Sequence, residues 1–150
     1  MKVVLQKVKK ASVSVEGKIV GEIDKGYCLL VGVHKESTEA DAKYLAKKIV
    51  EARLFEDENE KLNLGLKDVN GSILSVSQFT LYADTKKGKR PSFTNAASAE
   101  SANELYNKFN EYLREEGIKV ETGIFQTMME VNIINDGPVT IIYEKLSSGN

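Results

Sequence analysis

Val131-Asn132-Ile133-Ile134-Asn135-Asp136-Gly137-Pro138-Val139-Thr140-Ile141-Ile142 places two β-branched runs around a four-residue break. Read locally, this is a hairpin: a strand over 130–134, a turn at Asn135-Asp136-Gly137-Pro138, and a strand over 139–144. The turn is awkward. Pro138 has no N–H to donate and stands where the second strand should begin. Gly137 has no side chain, so another molecule can approach its backbone closely. A Gly-Pro bond can also be cis at modest cost, but only about 5–6% of X–Pro bonds in folded proteins are, so local rules favour a plain turn. The alternative is that Gly137-Pro138 presents backbone to a ligand.

Outward from this stretch, strands dominate. Lys2–Val8 reads as a first strand. Ala11–Val15 and Ile19–Ile23 read as a hairpin about Glu16-Gly17-Lys18, and Tyr27–Val33 as a buried strand. Thr38-Glu39-Ala40-Asp41 has the capping-box pattern and opens a helix over about 38–53, with Ala42, Leu45, Ala46, Ile49 and Val50 at helical spacing. Leu54-Phe55 and Leu62–Leu66 suggest short extended pieces. The Asn70-Gly71 turn precedes a strand over 72–78, which Phe79–Asp84 is expected to continue. Ser98 starts a second helix striped with Ala102, Leu105, Tyr106, Phe109, Tyr112 and Leu113, and Gly117 ends it. Ile118–Thr122 reads as a strand, Gly123–Met129 has no clear pattern, and Leu146–Asn150 reads as a frayed tail. Grouped strands with two helices define an α+β fold: two packed β-sheets, barrel-like, with the two main helices covering one face in β/β/α layers. Residues 1–150 are expected to form a single domain.

Composition narrows the function. Hydrophobic residues make up 41% and charged residues 29%, as in ordinary globular proteins. A net charge of −1 gives no broad attraction for nucleic acid, so a polyanion must be held by a local patch. One cysteine excludes an intramolecular disulfide, and Cys28 in Tyr27-Cys28-Leu29-Leu30-Val31 reads as small core filler. One Cys and one His cannot build a Cys/His zinc cluster within a chain; no metal or cofactor motif appears. No apolar run approaches the roughly 18–20 residues that span a bilayer. Met1-Lys2-Val3-Val4-Leu5-Gln6-Lys7 turns polar too soon for a signal peptide, so a cytoplasmic location without membrane contact is expected.

Side-chain catalysts are scarce. His34 sits at a strand end beside Lys35 and Glu36, reads as solvated, and lacks a nucleophile elbow to serve. The acidic residues fall on helix faces and charged loops. Two stretches are chemically unusual. Ser77-Gln78-Phe79-Thr80-Leu81 gathers hydroxyl, amide and backbone N–H groups at a strand end, suited to a carbonyl oxygen or a ribose hydroxyl; otherwise they face water. Lys86-Lys87-Gly88-Lys89-Arg90-Pro91 carries four cations suited to phosphate; otherwise it is a solvated loop.

Taken in order, Gln6-Lys7-Val8, Ala11-Ser12-Val13 and the Gly17 turn, Ser77-Gln78-Phe79-Thr80-Leu81, Ala83-Asp84, Arg90-Pro91-Ser92-Phe93, and Asn135-Asp136-Gly137-Pro138-Val139-Thr140 resemble the D-aminoacyl-tRNA deacylases across essentially the whole chain. The resemblance implies a homodimeric hydrolase that removes D-amino acids, and also mischarged glycine, from the 3′ end of tRNA. It implies that Gly137-Pro138 is cis and enters the partner's pocket as a chiral filter. There its two carbonyls would meet the ligand ammonium and occupy the space an L side chain needs. It further implies that Ser77, Gln78, Phe79 and Thr80 line the pocket. Backbone N–H groups near Phe79 and Thr80 would face the developing oxyanion, and the ribose 2′-hydroxyl would help activate water. Thr80 is the natural nucleophile candidate, but no base serves it. Met129 flanks the pocket or fills the core, as does Met128. Lys86, Lys87, Lys89 and Arg90 would contact tRNA. Lys7 departs from the family, where many relatives carry Arg; lysine keeps the charge and loses the fork of donors. The competing class is a non-catalytic dimeric module that binds an amino acid or an RNA 3′ end.

Overall fold

The computed structural model describes residues 1–147. Its organising element is β1 (Lys2–Val15), which pairs antiparallel on both edges. One edge carries β2 (Lys18–Ile23) along the second half of β1 and β3 (Gly26–Gly32) along the first half. The other edge carries β8 (Glu130–Glu144) along nearly its whole length. Beyond β3 the sheet continues in parallel through β6 (Ser72–Ser77) to β7 (Val120–Thr122). Strands β4 (Phe55–Glu56) and β5 (Leu62–Leu64) form a separate two-stranded ribbon, and Phe55 stacks on Tyr27 at 5.4 Å.

The burial pattern of β1 explains the layering. Val3, Leu5 and Lys7 are buried on one face; then Val8, Ala11 and Val13 are buried on the other. Alternation makes consecutive buried residues impossible on one face, so Lys7-Val8 marks a change of face, and register shifts flank Val8. The first face packs under the helices α1 (Glu39–Glu51) and α2 (Ala99–Glu115), with Tyr27, Leu29 and Ile73. The second face closes over Cys28, Leu74 and Val76, with Ile23 from β2. The sheet thus curls on itself, and the two β layers are halves of one six-stranded sheet. Close approach permits this: a Cβ on Gly21 of β2 would lie 2.7 Å from the Thr122 carbonyl oxygen.

Both helices start as the sequence implies. The Thr38 hydroxyl accepts from Asp41 N–H at 3.2 Å, while the Asp41 carboxylate accepts from Thr38 N–H at 3.0 Å. Ser98 caps α2 by accepting from Ser101 N–H at 3.3 Å. The Tyr106 hydroxyl donates to the Ser75 carbonyl at 2.6 Å, tying α2 to β6. Cys28 is fully buried, and burial pushes its thiol up to about 12, so it is core filler without thiolate character.

Four sequence readings change. Residues 130–144 are one strand rather than a hairpin, because the long edge of β1 pairs with both arms and outcompetes their pairing with each other. Lys2–Val8 and Ala11–Val15 likewise form one strand. Phe79–Tyr82 is a 3-10 turn rather than a continuation of β6. Parallel pairing with β3 ends at Val31 and Ser77, and Leu81 then folds onto Gly32, where an added Cβ would lie 3.0 Å from that of Leu81. Within the expected frayed tail, Ser147 is held by Asp41, and just before it Lys145 N–H donates to the Met1 carbonyl at 2.9 Å; residues 148–150 lie outside the described residues.

The β3–β6 junction yields a test. A Cβ on Gly26 would fall 1.8 Å from the Ser72 carbonyl oxygen, whereas one on Gly17, at φ +80°, would meet open space. Chemical denaturation of Gly26→Ala should show a loss of more than about 3 kcal/mol or no folded state. Gly17→Ala should lose only about 1–2 kcal/mol, the cost of the left-handed conformation.

Candidate active site

Where β6 ends, the chain enters the Phe79–Tyr82 turn and opens a cavity of about 650 Å³. Ser77, Gln78, Phe79 and Thr80 form one wall. The start of α2 supplies small side chains, Ala99 and Ala102, which leave room opposite them, and Ala96 and Ala97 extend that wall. Phe125, Gln126, Thr127, Met129 and Val131, with Val33, Val76 and Phe93, complete the lining. Gly123 makes room for Met129: a Cβ there would lie 2.5 Å from the Met129 sulfur.

The turn is pinned from both sides. Gln78 N–H donates to the Val31 carbonyl at 2.8 Å, and Ala83 N–H to the Thr80 carbonyl at 3.0 Å. The N–H groups of Phe79 and Thr80 open the turn, where no intrahelical carbonyl precedes them. The Gln78 amide Nε2 donates to Thr80 Oγ1 at 3.0 Å, which orients both groups. Phe79 is 56% exposed and meets Phe93 edge-on at 5.0 Å, forming an aromatic rim.

Every residue lining this cavity is neutral: there is no His, Cys, Asp, Glu, Lys, Arg or Tyr among them. No group of three or more His, Cys, Asp or Glu residues suited to a metal ion occurs among the described residues. His34 is half-buried, edge-on to Tyr82 at 5.0 Å, and its Nδ1 accepts from Glu36 N–H at 3.0 Å; it lines a different cleft. A pocket of this kind can hold a polar ligand by hydroxyl, amide and backbone groups. It has no side-chain general base of its own.

The other residues singled out by sequence lie elsewhere. Gly137 and Pro138 are exposed, joined by a cis bond, and absent from their own chain's cavity lining. They belong to a protrusion of β8: Asn135 pairs with Val8 and Thr140 with Gln6, so Asp136–Val139 stand opposite Lys7 alone. Asn135, read from the sequence only as part of the turn, clamps this protrusion. Its Oδ1 accepts from Val139 N–H at 3.0 Å and its Nδ2 donates to Thr140 Oγ1 at 3.0 Å. An Asn two residues before Gly-Pro was the available signal. Lys7 is 5% exposed, and its ammonium lies 5.3 Å over the Phe55 ring, on the helix side of the sheet. Lys86, Lys87, Lys89 and Arg90 are all exposed, on a loop closed by the Asp84–Ser92 bridge. Phe125–Thr127 were missed because their segment has no periodicity.

Fold and cavity together define an α+β protein with a neutral, largely apolar cavity at a strand end, whose polar lining side chains are Ser77, Gln78, Thr80, Gln126 and Thr127. Comparison with known proteins gives the family. The model of the D-Tyr-tRNA(Tyr) deacylase family matches residues 4–144. The chain is 62% identical over 144 residues to the D-aminoacyl-tRNA deacylase of Staphylococcus haemolyticus, covering 96% of this chain and 95% of that one. It is 59% identical over 145 residues to that of Exiguobacterium sibiricum, covering 97% and 100%. Among solved structures, one described as c-Myc DNA unwinding element binding protein has a TM-score of 0.90 at 40% identity, covering 97% and 99%. A probable eukaryotic D-amino acid tRNA deacylase shares the fold, with a TM-score of 0.82 at 16% identity, covering 95% and 97%. The chain belongs to the D-Tyr-tRNA(Tyr) deacylase family.

The clamp on the protrusion is measurable. Asn135→Ala should lower stability by about 1–2 kcal/mol, as expected for two lost side-chain hydrogen bonds. A thermal melt indistinguishable from the parent would show that the clamp contributes nothing.

Proposed function

We propose that this protein hydrolyses the ester between a D-amino acid and the 3′-terminal adenosine of tRNA, releasing free amino acid and tRNA, and that it also accepts glycine. Family membership supports the reaction class. The observation that carries the mechanism is the neutral cavity behind Ser77-Gln78-Phe79-Thr80. With no base in the lining, the catalytic work falls to positioning and to oxyanion stabilisation. The ester carbonyl oxygen points at the N–H groups of Phe79 and Thr80. Water, activated by the ribose 2′-hydroxyl, adds to the carbonyl carbon. The bond to the ribose 3′ oxygen then breaks, and that oxygen takes up a proton. Thr80 Oγ1, already accepting from Gln78, serves as a polar wall rather than a nucleophile. Ser77 and Met129 shape the rest of the pocket.

The chiral filter is Gly137 and Pro138 of the partner subunit. Their exposure outside their own cavity fits a role in a neighbour's site. A homodimer also accounts for an uncovered sheet face: Val4 stands between Leu30 and Ile142 in register on the side away from the helices, and Ile142 is 65% exposed. Lys7 anchors β1 beneath the protrusion. Lys86, Lys87, Lys89 and Arg90 contact the tRNA backbone, and residues 1–150 act as one domain in the cytoplasm, where tRNA is found. The neutral pocket equally suits a second reading, a non-catalytic dimeric module that binds an amino acid or an RNA 3′ end. Single-turnover incubation with D-Tyr-tRNA separates them: tight binding with no ester loss favours the module.

Three outcomes are expected. A 2′-deoxy terminal adenosine should slow deacylation by about 10²-fold, the range of an acid–base group; an unchanged rate rules out 2′-hydroxyl assistance. Gly137 sits at φ +125°, and an added Cβ would lie 2.8 Å from Val139 Cγ2, so Gly137→Ala must displace the protrusion. Its D-over-L preference, measured as a ratio of kcat/KM values, should fall at least about tenfold, or 1.4 kcal/mol; retained preference removes Gly137 from the filter. Changing Lys86, Lys87 and Lys89 together to Ala should reduce the log–log salt slope of tRNA binding by about two to three. If the slope is unmoved, the loop is only solvated.

A further inference from the structure

A second cleft of about 350 Å³ lies against the same 3-10 turn. Phe79 and Thr80 line the first cavity, and Leu81 and Tyr82 line this one, so two halves of one short turn serve two spaces. Their chemistry is opposite. The second cleft is bordered by Lys2, His34, Asp84, Lys86 and Glu144.

The polar groups are arranged rather than scattered. The Tyr82 hydroxyl donates to Glu144 Oε2 at 3.0 Å, which holds the carboxylate while leaving Oε1 to accept from another donor. Lys2 Nζ lies 5.1 Å over the Tyr82 ring and 3.5 Å from the Leu81 carbonyl oxygen. His34 Nδ1 accepts from Glu36 N–H, so in the neutral ring Nε2 carries the proton and donates. Lys86 stands where the basic loop enters the cleft, its N–H donating to Asp84 Oδ1 at 3.0 Å.

A site for phosphate alone would gain nothing from two carboxylates. A nucleotide needs both signs: cations for its phosphate, and acceptors for an exocyclic amino group. Carboxylates accept from cytosine N4, and aromatic rings including histidine stack on unpaired RNA bases. We propose that this cleft binds the nucleotide preceding the terminal adenosine, a cytidine in tRNA. Its amino group rests on Glu144, its base against His34, and its phosphate between Lys2 and Lys86. The inference rests on the aminoacyl-tRNA reading above and adds a nucleotide subsite to it.

The test uses D-tyrosyl esters of adenosine and of the dinucleotides CpA and UpA. For the unaltered protein, kcat/KM for the CpA ester should exceed that for the adenosine ester by about tenfold or more, and UpA should lose most of that gain, because uracil O4 is an acceptor facing a carboxylate. Glu144→Gln, whose amide can donate to O4, should bring UpA level with CpA or above it. His34→Ala should pull the CpA-to-adenosine ratio toward one. Equal turnover of the three esters overturns the proposal. So does a uniform loss on all three in Glu144→Gln, or a change in that variant's oligomeric mass by light scattering, which would make Glu144 an interface residue. If none of the esters nor D-Tyr-tRNA is hydrolysed, the deacylase reading fails. Calorimetric titration with CpA against UpA then decides the cleft, with tighter CpA binding sustaining it and equal binding overturning it.

Discussion

The structure depends on β1 being paired along both edges while it changes face. A strand buries only alternate residues, so fourteen residues in one regular strand could serve one core on each side but not switch between them. The register shifts flanking Val8 allow Val3 and Leu5 to pack under the helices and Val8, Ala11 and Val13 to close the second core. Everything positional follows from this curl. It sets β8 beside β1, brings Val131 and Met129 to the cavity, and leaves the end of β6 free to turn into Phe79–Tyr82.

The same irregularity shapes the surface around Gly137 and Pro138. Where β1 shifts register, β8 has residues to spare, and Asp136–Val139 stand out from the sheet opposite Lys7. A ladder interrupted in this way leaves backbone groups without strand partners; Asn135 Oδ1 supplies one for Val139 N–H, and its Nδ2 ties the Thr140 hydroxyl. Gly137 and Pro138, within the interruption, are left exposed. The two cavities divide the chemistry of the Phe79–Tyr82 turn in a complementary way, one neutral and one charged. The hydroxyl, amide and backbone groups of the neutral pocket have no side-chain charge in their lining, and the charged groups are held on the other side of the turn.

Much of this was legible in the residues. The capping box at Thr38-Glu39-Ala40-Asp41, the stripe of the second helix, the glycine stop at Gly117 and the buried Cys28 are local signals, and each appears where periodicity puts it. Ser77, Gln78, Phe79, Thr80 and Met129 share one cavity. Less was legible where local preference competes with distant pairing. The Val131–Ile142 stretch has the pattern of a hairpin, yet its arms pair with β1. Phe79–Asp84 has the composition of a strand, yet it turns once its parallel partner ends.

Composition and local spacing set which residues are apolar, where helices start and stop, and that one His and one Cys cannot build a Cys/His zinc cluster within one chain. These depend on side-chain chemistry and on spacing of a few residues. Long-range pairing and packing made Asp136–Val139 an interruption in a continuous strand, aimed Lys7 toward Phe55, and set the Phe79–Tyr82 turn between two clefts of opposite character. Those outcomes are set by which distant strand edge wins the backbone hydrogen bonds, and that competition is settled by burial across the whole sheet rather than by the preferences of any local stretch.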